Sequence, residues 1–141
     1  MTRGMSGRKT AVLVCPGRGT YNKDELGYLG RHFPDPALLA AFDAQRQAQG
    51  QDTLSELDGA DRFSLARHTR GDNASGLIFA ATLGDALTID PDRIDVVAVT
   101  GNSMGWYSAL ACAGAVSPED GFTIANTMGP LMQQALIGGQ L

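Results

Sequence analysis

The chain has 141 residues, with 15 acidic against 11 basic side chains, a formal net charge of −4 and an isoelectric point near 4.9. Such a length holds at most one domain, and 43% hydrophobic with 18% charged residues is the composition of a chain with a core, which excludes disorder. No lysine-arginine stripe is present to neutralise phosphates, so neither nucleic acid nor an anionic membrane surface is expected as principal partner.

Residues 1–9 are expected to be a flexible N-terminus, and 10–141 the folded part. Residues 10–15, Thr-Ala-Val-Leu-Val-Cys, are short, rich in β-branched side chains and closed by Pro16-Gly17, which predicts a buried strand. Pro16-Gly17-Arg18-Gly19-Thr20 is then a loop, and a helix is expected over 22–30. Asp35 as N-cap and Pro36 at the first helical position start the next helix, over 37–49. The polar stretch 50–71 predicts only short helical turns. Asp72-Asn73 is expected to cap a largely buried helix ending near Asp90-Pro91.

Residues 94–100 form the second predicted strand, apolar on both faces like parallel strands covered by helices on both sides. It stops at Gly101. A small-residue helix follows and closes at Gly114. Ser117-Pro118-Glu119-Asp120 places a capping serine three residues before an acid, so a last helix starts at Pro118. Within it Pro130 removes an N–H and crowds the carbonyl of Asn126, which predicts a kink or break.

The alternation of strand, helices, strand and helices defines an α/β class with parallel strands. Two strands make a small sheet for this much helix, and the chain reads as the N-terminal part of a larger domain, its last residues 137–141 offering no closing element. The apolar runs at 11–15 and 96–99 are far shorter than the roughly 20 residues that cross a bilayer. The run behind Arg3, Arg8 and Lys9 is also too short for a signal-peptide core, so the expected compartment is the cytoplasm. Cys15 and Cys112 are expected to be small buried hydrophobes rather than a disulfide or metal ligands.

Gly101-Asn102-Ser103-Met104-Gly105 fits G-x-S-x-G, a pentapeptide that chance produces in about one such glycine-rich chain in ten. Its setting is more specific: it follows an apolar strand and precedes a small-residue helix, as in a nucleophile elbow. Glycine is required at 101 and 105 because side chains there would collide with the neighbouring strand and helix. A serine hydroxyl needs a base to take its proton and donors to hold the oxyanion. The backbone N–H of Met104, at the helix start, is a natural donor. A second donor is expected from the loop 16–19, at the carboxyl edge of a parallel strand. The chain has only two histidines, His32 and His68; neither follows a predicted strand, His32 reading as a loop residue and His68 as a solvated or capping one. The base is therefore expected outside this chain.

Taken together, these segments resemble one family. Val14-Cys-Pro-Gly-Arg-Gly-Thr20 is similar to the Phe-Pro-Gly-Gln-Gly-Ser near the start of malonyl-CoA:acyl carrier protein transacylases and of polyketide-synthase acyltransferase domains. Residues 101–120 are similar to their Gly-His-Ser-Leu-Gly-Glu-Tyr-Ser-Ala-Leu segment and the helix that follows. Met128-Gly-Pro-Leu-Met-Gln133 resembles their Arg-Gly-Arg-Leu-Met-Gln. The resemblance implies an α/β-hydrolase-like parallel sheet with flanking helices, incomplete here and covering about the first half of a family member.

It also implies acyl transfer through a Ser103 ester, from a coenzyme A thioester to the phosphopantetheine thiol of an acyl carrier protein. Both thioesters are substrates, and no bound cofactor or metal is implied. The N–H groups of Arg18 and Met104 would form the oxyanion hole, the base would be a histidine beyond Leu141, and Asn73 falls near a pocket-lining glutamine. Three positions depart from the family: Asn102 replaces its histidine, Arg18 its glutamine, and Met128 the arginine that pairs with the malonyl carboxylate. Losing that pair costs ~2–4 kcal/mol. Either the acyl group is uncharged and rests on Met128, or Arg18 supplies the displaced charge. Two other functions compete: hydrolysis of the same acyl-serine by a thioesterase or esterase, and a non-catalytic carrier-protein docking module.

Overall fold

In the computed structural model, which describes residues 7–135, the first strand begins at Lys9, so the flexible N-terminus expected over 1–9 does not extend that far. This strand, β1 (Lys9–Cys15), leads into a short 3-10 turn, Lys23–Glu25, and a helix, α1 (Tyr28–His32). The single helix expected over 22–30 is thus two pieces. Gly27 separates them at φ 85°, a left-handed backbone that a helix cannot continue through and that glycine adopts without strain. His32 ends α1 rather than lying in a loop.

The next helix, α2 (Pro36–Ala48), starts as expected: Asp35 accepts a 3.1 Å hydrogen bond from the Leu38 N–H, and Pro36 opens the first turn. Leu38, Phe42 and Arg46 lie buried on one stripe, the spacing of a single helix face. Two short helices, α3 (Leu54–Asp58) and α4 (Leu65–His68), fill the polar stretch. The long helix α5 (Gly71–Leu87) follows, with Arg70 rather than Asp72 or Asn73 at its N-cap. It is the centre of the core, since Ala74, Leu77, Ile78, Phe79, Ala80 and Leu83 are all buried.

The second strand, β2 (Ile94–Gly101), pairs parallel to β1, Cys15 opposite Gly101, with a register shift that leaves Val97 unpaired between Val96 and Ala98. Helix α6 (Gly105–Cys112) then closes at Gly114, φ 75°. Helix α7 (Pro118–Ala135) is capped by Ser117, whose hydroxyl accepts from the Asp120 N–H at 3.1 Å. It runs through Pro130 without the expected break; its buried stripe of Phe122, Ala125 and Gly129 holds it to the core before that proline, and Gln133, whose Oε1 accepts from the Gly71 N–H at 2.9 Å, ties it to α5 beyond. Residues 137–141 lie outside the described residues.

Aromatic contacts join the layers. Phe42 of α2 stacks on Phe122 of α7 with centroids 4.3 Å apart, and Phe79 of α5 meets both edge-on. Helices α5 and α7 approach so closely at Gly71 and Gly129 that a Cβ on Gly129 would fall 2.7 Å from the Gly71 carbonyl oxygen. The sheet is less covered than its apolar strands suggest: Val12, Val14 and Val97 remain more than half exposed. Cover on both faces is not provided by the described residues. None of the described helices is long and apolar enough to cross a membrane.

Candidate active site

The turn between β2 and α6 holds Ser103 at φ 55°, the one non-glycine residue with positive φ among the described residues. For a serine this backbone is costly, roughly 1–3 kcal/mol. Surrounding contacts enforce it. The Asn102 N–H donates to the Cys15 carbonyl at 3.0 Å, and the Gly105 and Trp106 N–H groups donate back to the carbonyls of Asn102 and Ser103 at 2.9 and 3.1 Å. Both flanking glycines are sterically required. A Cβ on Gly101 would stand 2.4 Å from the Gly105 carbonyl carbon, and one on Gly105 would stand 2.2 Å from the Cys15 carbonyl oxygen. No side chain fits at those distances, so the serine is pressed out to solvent at the tip of the turn.

The loop after β1 arrives beside it. A Cβ on Gly17 would lie 2.8 Å from the Asn102 carbonyl oxygen and 3.2 Å from the Ser103 Cβ, which brings residues 17 and 18 against the elbow. The N–H groups of Arg18 and Met104 donate to no described residue. Unengaged amides on either side of an exposed hydroxyl are the raw material of an oxyanion hole.

A pocket of about 230 Å³ opens here, lined by Ser103, Met104 and Tyr107 from the elbow and α6, by Arg18, by Gly71 and Ser75 from α5, and by Met128, Gly129 and Met132 from α7. Of the expected site residues it gathers Ser103, Arg18, Met104 and Met128, and excludes two. Asn73 points elsewhere: its Oδ1 accepts from the Arg46 guanidinium at 2.6 Å and its amide donates to the Arg67 carbonyl at 2.9 Å. Asn102 stands on the outer side of the elbow, exposed and outside the pocket lining.

Ser75, Tyr107 and Met132 are lining residues that sequence reasoning missed. Two carried a signal. Tyr107 and Met132 each stand four residues beyond an expected site residue, Ser103 and Met128, one helical turn along the same face. Gln133 was also missed; its Oε1 accepts from the Gly71 N–H at 2.9 Å and ties α7 to the start of α5.

Neither histidine serves the serine. His68 is fully buried rather than solvated, stacked between Tyr21 and Phe63; its Nδ1 accepts from the Ser64 N–H at 3.0 Å and its Nε2 lies 2.8 Å from the Leu57 carbonyl. That arrangement fits a neutral ring with the proton on Nε2. His32 is exposed and packs on Tyr28. Cys15 and Cys112 are free thiols that meet between β1 and α6, as buried as expected for Cys15 and partly so for Cys112. Burial pushes the Cys112 thiol up to about 12, aided by Cys15, so it carries almost no thiolate near neutrality. No group of three or more metal-ligating side chains occurs among the described residues.

A strand, a strained serine turn and a small-residue helix, with the loop of a parallel neighbour strand beside the serine, define an α/β fold built around a nucleophile-elbow geometry. No family model matches the chain. Individual proteins do: the chain is 27% identical over 135 residues, 93% of its length, to the malonyl CoA-acyl carrier protein transacylase of Haemophilus influenzae. Among solved structures it is similar to MCAT from Mycobacterium tuberculosis, with TM-score 0.72 and 27% identity over 90% of the chain. The malonyl CoA-acyl carrier protein transacylase of Coxiella burnetii has the same fold, TM-score 0.66 over 92% of the chain, at 24% identity. The resemblance to malonyl transacylases, and the fold it implied, are thus found in sequence and structure alike. The chain spans 41% of the length of the Haemophilus relative, 41% of the Mycobacterium chain and 39% of the Coxiella chain.

Proposed function

We propose that the protein containing this chain transfers a malonyl or other short acyl group from coenzyme A to an acyl carrier protein, with Ser103 as the acylated residue. In the first half-reaction a base takes the Ser103 hydroxyl proton, Oγ forms a bond to the thioester carbonyl carbon, the carbon–sulfur bond breaks, and coenzyme A leaves as the thiol with that proton. In the second, the carrier's pantetheine thiol gives up its proton, its sulfur bonds the same carbon, and Ser103 leaves as the hydroxyl. The N–H groups of Arg18 and Met104 hold the oxyanion in both. The base comes from outside this chain, since His68 is held by Ser64 and Leu57 and His32 packs on Tyr28 within its own helix, away from Ser103. Residues 10–141 are then the N-terminal part of an acyltransferase α/β unit.

One observation carries the proposal: Ser103 is held at φ 55° by glycines that nothing larger could replace, beside two unengaged amides. The names of the relatives support the donor and the acceptor.

The test is partition of the acyl-enzyme. Full-length protein charged with radiolabelled malonyl-CoA and freed of excess donor should pass its label to holo acyl carrier protein far faster than to water. Release to water at the same rate with and without carrier would instead assign hydrolysis. Absence of any charged enzyme would leave a docking module.

A further inference from the structure

The Ser103 pocket has uneven walls. Met104, Met128, Met132 and Tyr107 give it thioether and ring surface, and no acidic side chain lines it. Its one charged group is the Arg18 guanidinium. That cation forms neither an ion pair nor a hydrogen bond with any described residue. Other arginines behave otherwise: Arg67 pairs with Asp52 at 3.0 Å and Arg70 with Asp72 at 3.1 Å.

The position of Arg18 is as informative as its isolation. Its backbone follows Gly17, which packs against Ser103, while its Nη1 would lie 3.0 Å from a Cβ on Gly71, at the start of α5. The side chain therefore reaches from the oxyanion side of the serine across to the far wall. There the positive end of a 17-residue helix adds to the attraction for an anion. At about 230 Å³ the cavity is smaller than the roughly 300–1,000 Å³ of drug-sized sites, which suits a short acyl group.

We infer that Arg18 is the specificity-determining residue of this pocket, its guanidinium pairing with a free carboxylate at the end of a short acyl chain esterified to Ser103. The inference rests on the acyl-transfer reading above. A guanidinium offers a carboxylate two parallel N–H donors, while the methionine walls pack the intervening methylene without competing for the charge. A neutral acyl end would find only the apolar wall and leave the cation to solvent. The phosphates of coenzyme A are a second source of negative charge, and comparing two donors that share the coenzyme A moiety separates them.

Single-turnover acylation of the full-length protein by malonyl-CoA and by acetyl-CoA tests this, read as the ratio of the two rates. In Arg18→Gln the malonyl-to-acetyl ratio should fall at least about tenfold, since the pair is charged and bidentate though partly solvated. In Arg18→Lys, which keeps the charge and loses the fork, it should fall by a smaller factor, roughly threefold. Should Arg18→Gln acylate with neither donor, the lysine variant carries the comparison alone. A ratio unchanged in both variants overturns the inference, as does an equal fall with both donors, which would assign Arg18 to the coenzyme A phosphates. If neither donor acylates the wild-type protein, the acyl-transfer reading itself fails and this inference with it.

Discussion

Ser103→Ala should abolish acyl-enzyme formation in the full-length protein, a loss of many orders of magnitude in the rate of label uptake from acyl-CoA. Removing the hydroxyl removes the atom that bonds the acyl carbon, and no neighbouring group can stand in for it. Ser108 is fully buried in α6, and the Cys112 thiol, pushed up to about 12, is protonated at working pH. The substitution itself is structurally mild: alanine keeps the Cβ, and the Asn102, Gly105 and Trp106 N–H groups of the elbow donate to backbone carbonyls that it leaves in place. A variant that folds with the wild-type melting temperature and takes up no label is the expected result. Label uptake at even a hundredth of the wild-type rate would place the nucleophile elsewhere.

The largest effect on stability is expected at Arg46, in α2. Its guanidinium is fully buried and donates to four acceptors on three segments: the carbonyls of Asp52 and Asp72, and the side-chain oxygens of Asn73 and Asn126. Burial lowers its pKa, and the fields of Asp72, Asp52 and Asp43 work against that shift. Arg46→Ala leaves these acceptors facing a void sealed from water, which should cost ~3–5 kcal/mol of folding free energy. Arg46→Met fills the volume and leaves the acceptors unmet, so it should cost less than alanine and more than an exposed substitution. The readout is the urea unfolding midpoint. A shift equivalent to less than about 1 kcal/mol for alanine, the usual size of a surface change, would mean that the buried cation does not hold the segments together. Because Asp72 and Asn73 begin α5, and Asn126 lies on α7, the same substitution should loosen both of these helices, which line the Ser103 pocket.

The features legible in the sequence are those whose cause is local. Asp35-Pro36 and Ser117-Pro118 start helices because a cap and a proline act within one turn. The elbow is legible because its glycines answer to contacts inside a strand-turn-helix unit. What was not legible depends on segments far apart in the chain. Arg46 reads as an ordinary polar helix position, and nothing near it announces that a loop carbonyl, a carbonyl from the first turn of α5 and two asparagines will converge on it. Asn73 looked like a pocket residue until that guanidinium claimed its side chain. His68 has a polar neighbourhood in sequence, yet Tyr21 and Phe63 close over it in space. The proline at 130 hid Met132: an expected break in α7 obscured the helical face that carries both methionines into the pocket.

The central claim is that Ser103 carries the acyl group, and peptide mapping of the acyl-enzyme addresses it most directly. Full-length protein is exposed briefly to malonyl-CoA, quenched in acid, digested and sequenced by tandem mass spectrometry, before and after addition of holo acyl carrier protein. The account predicts a malonyl adduct on Ser103 that disappears as the carrier becomes acylated. An adduct on Ser108, Cys15 or Cys112, or a Ser103 adduct that persists when carrier is added, would contradict it.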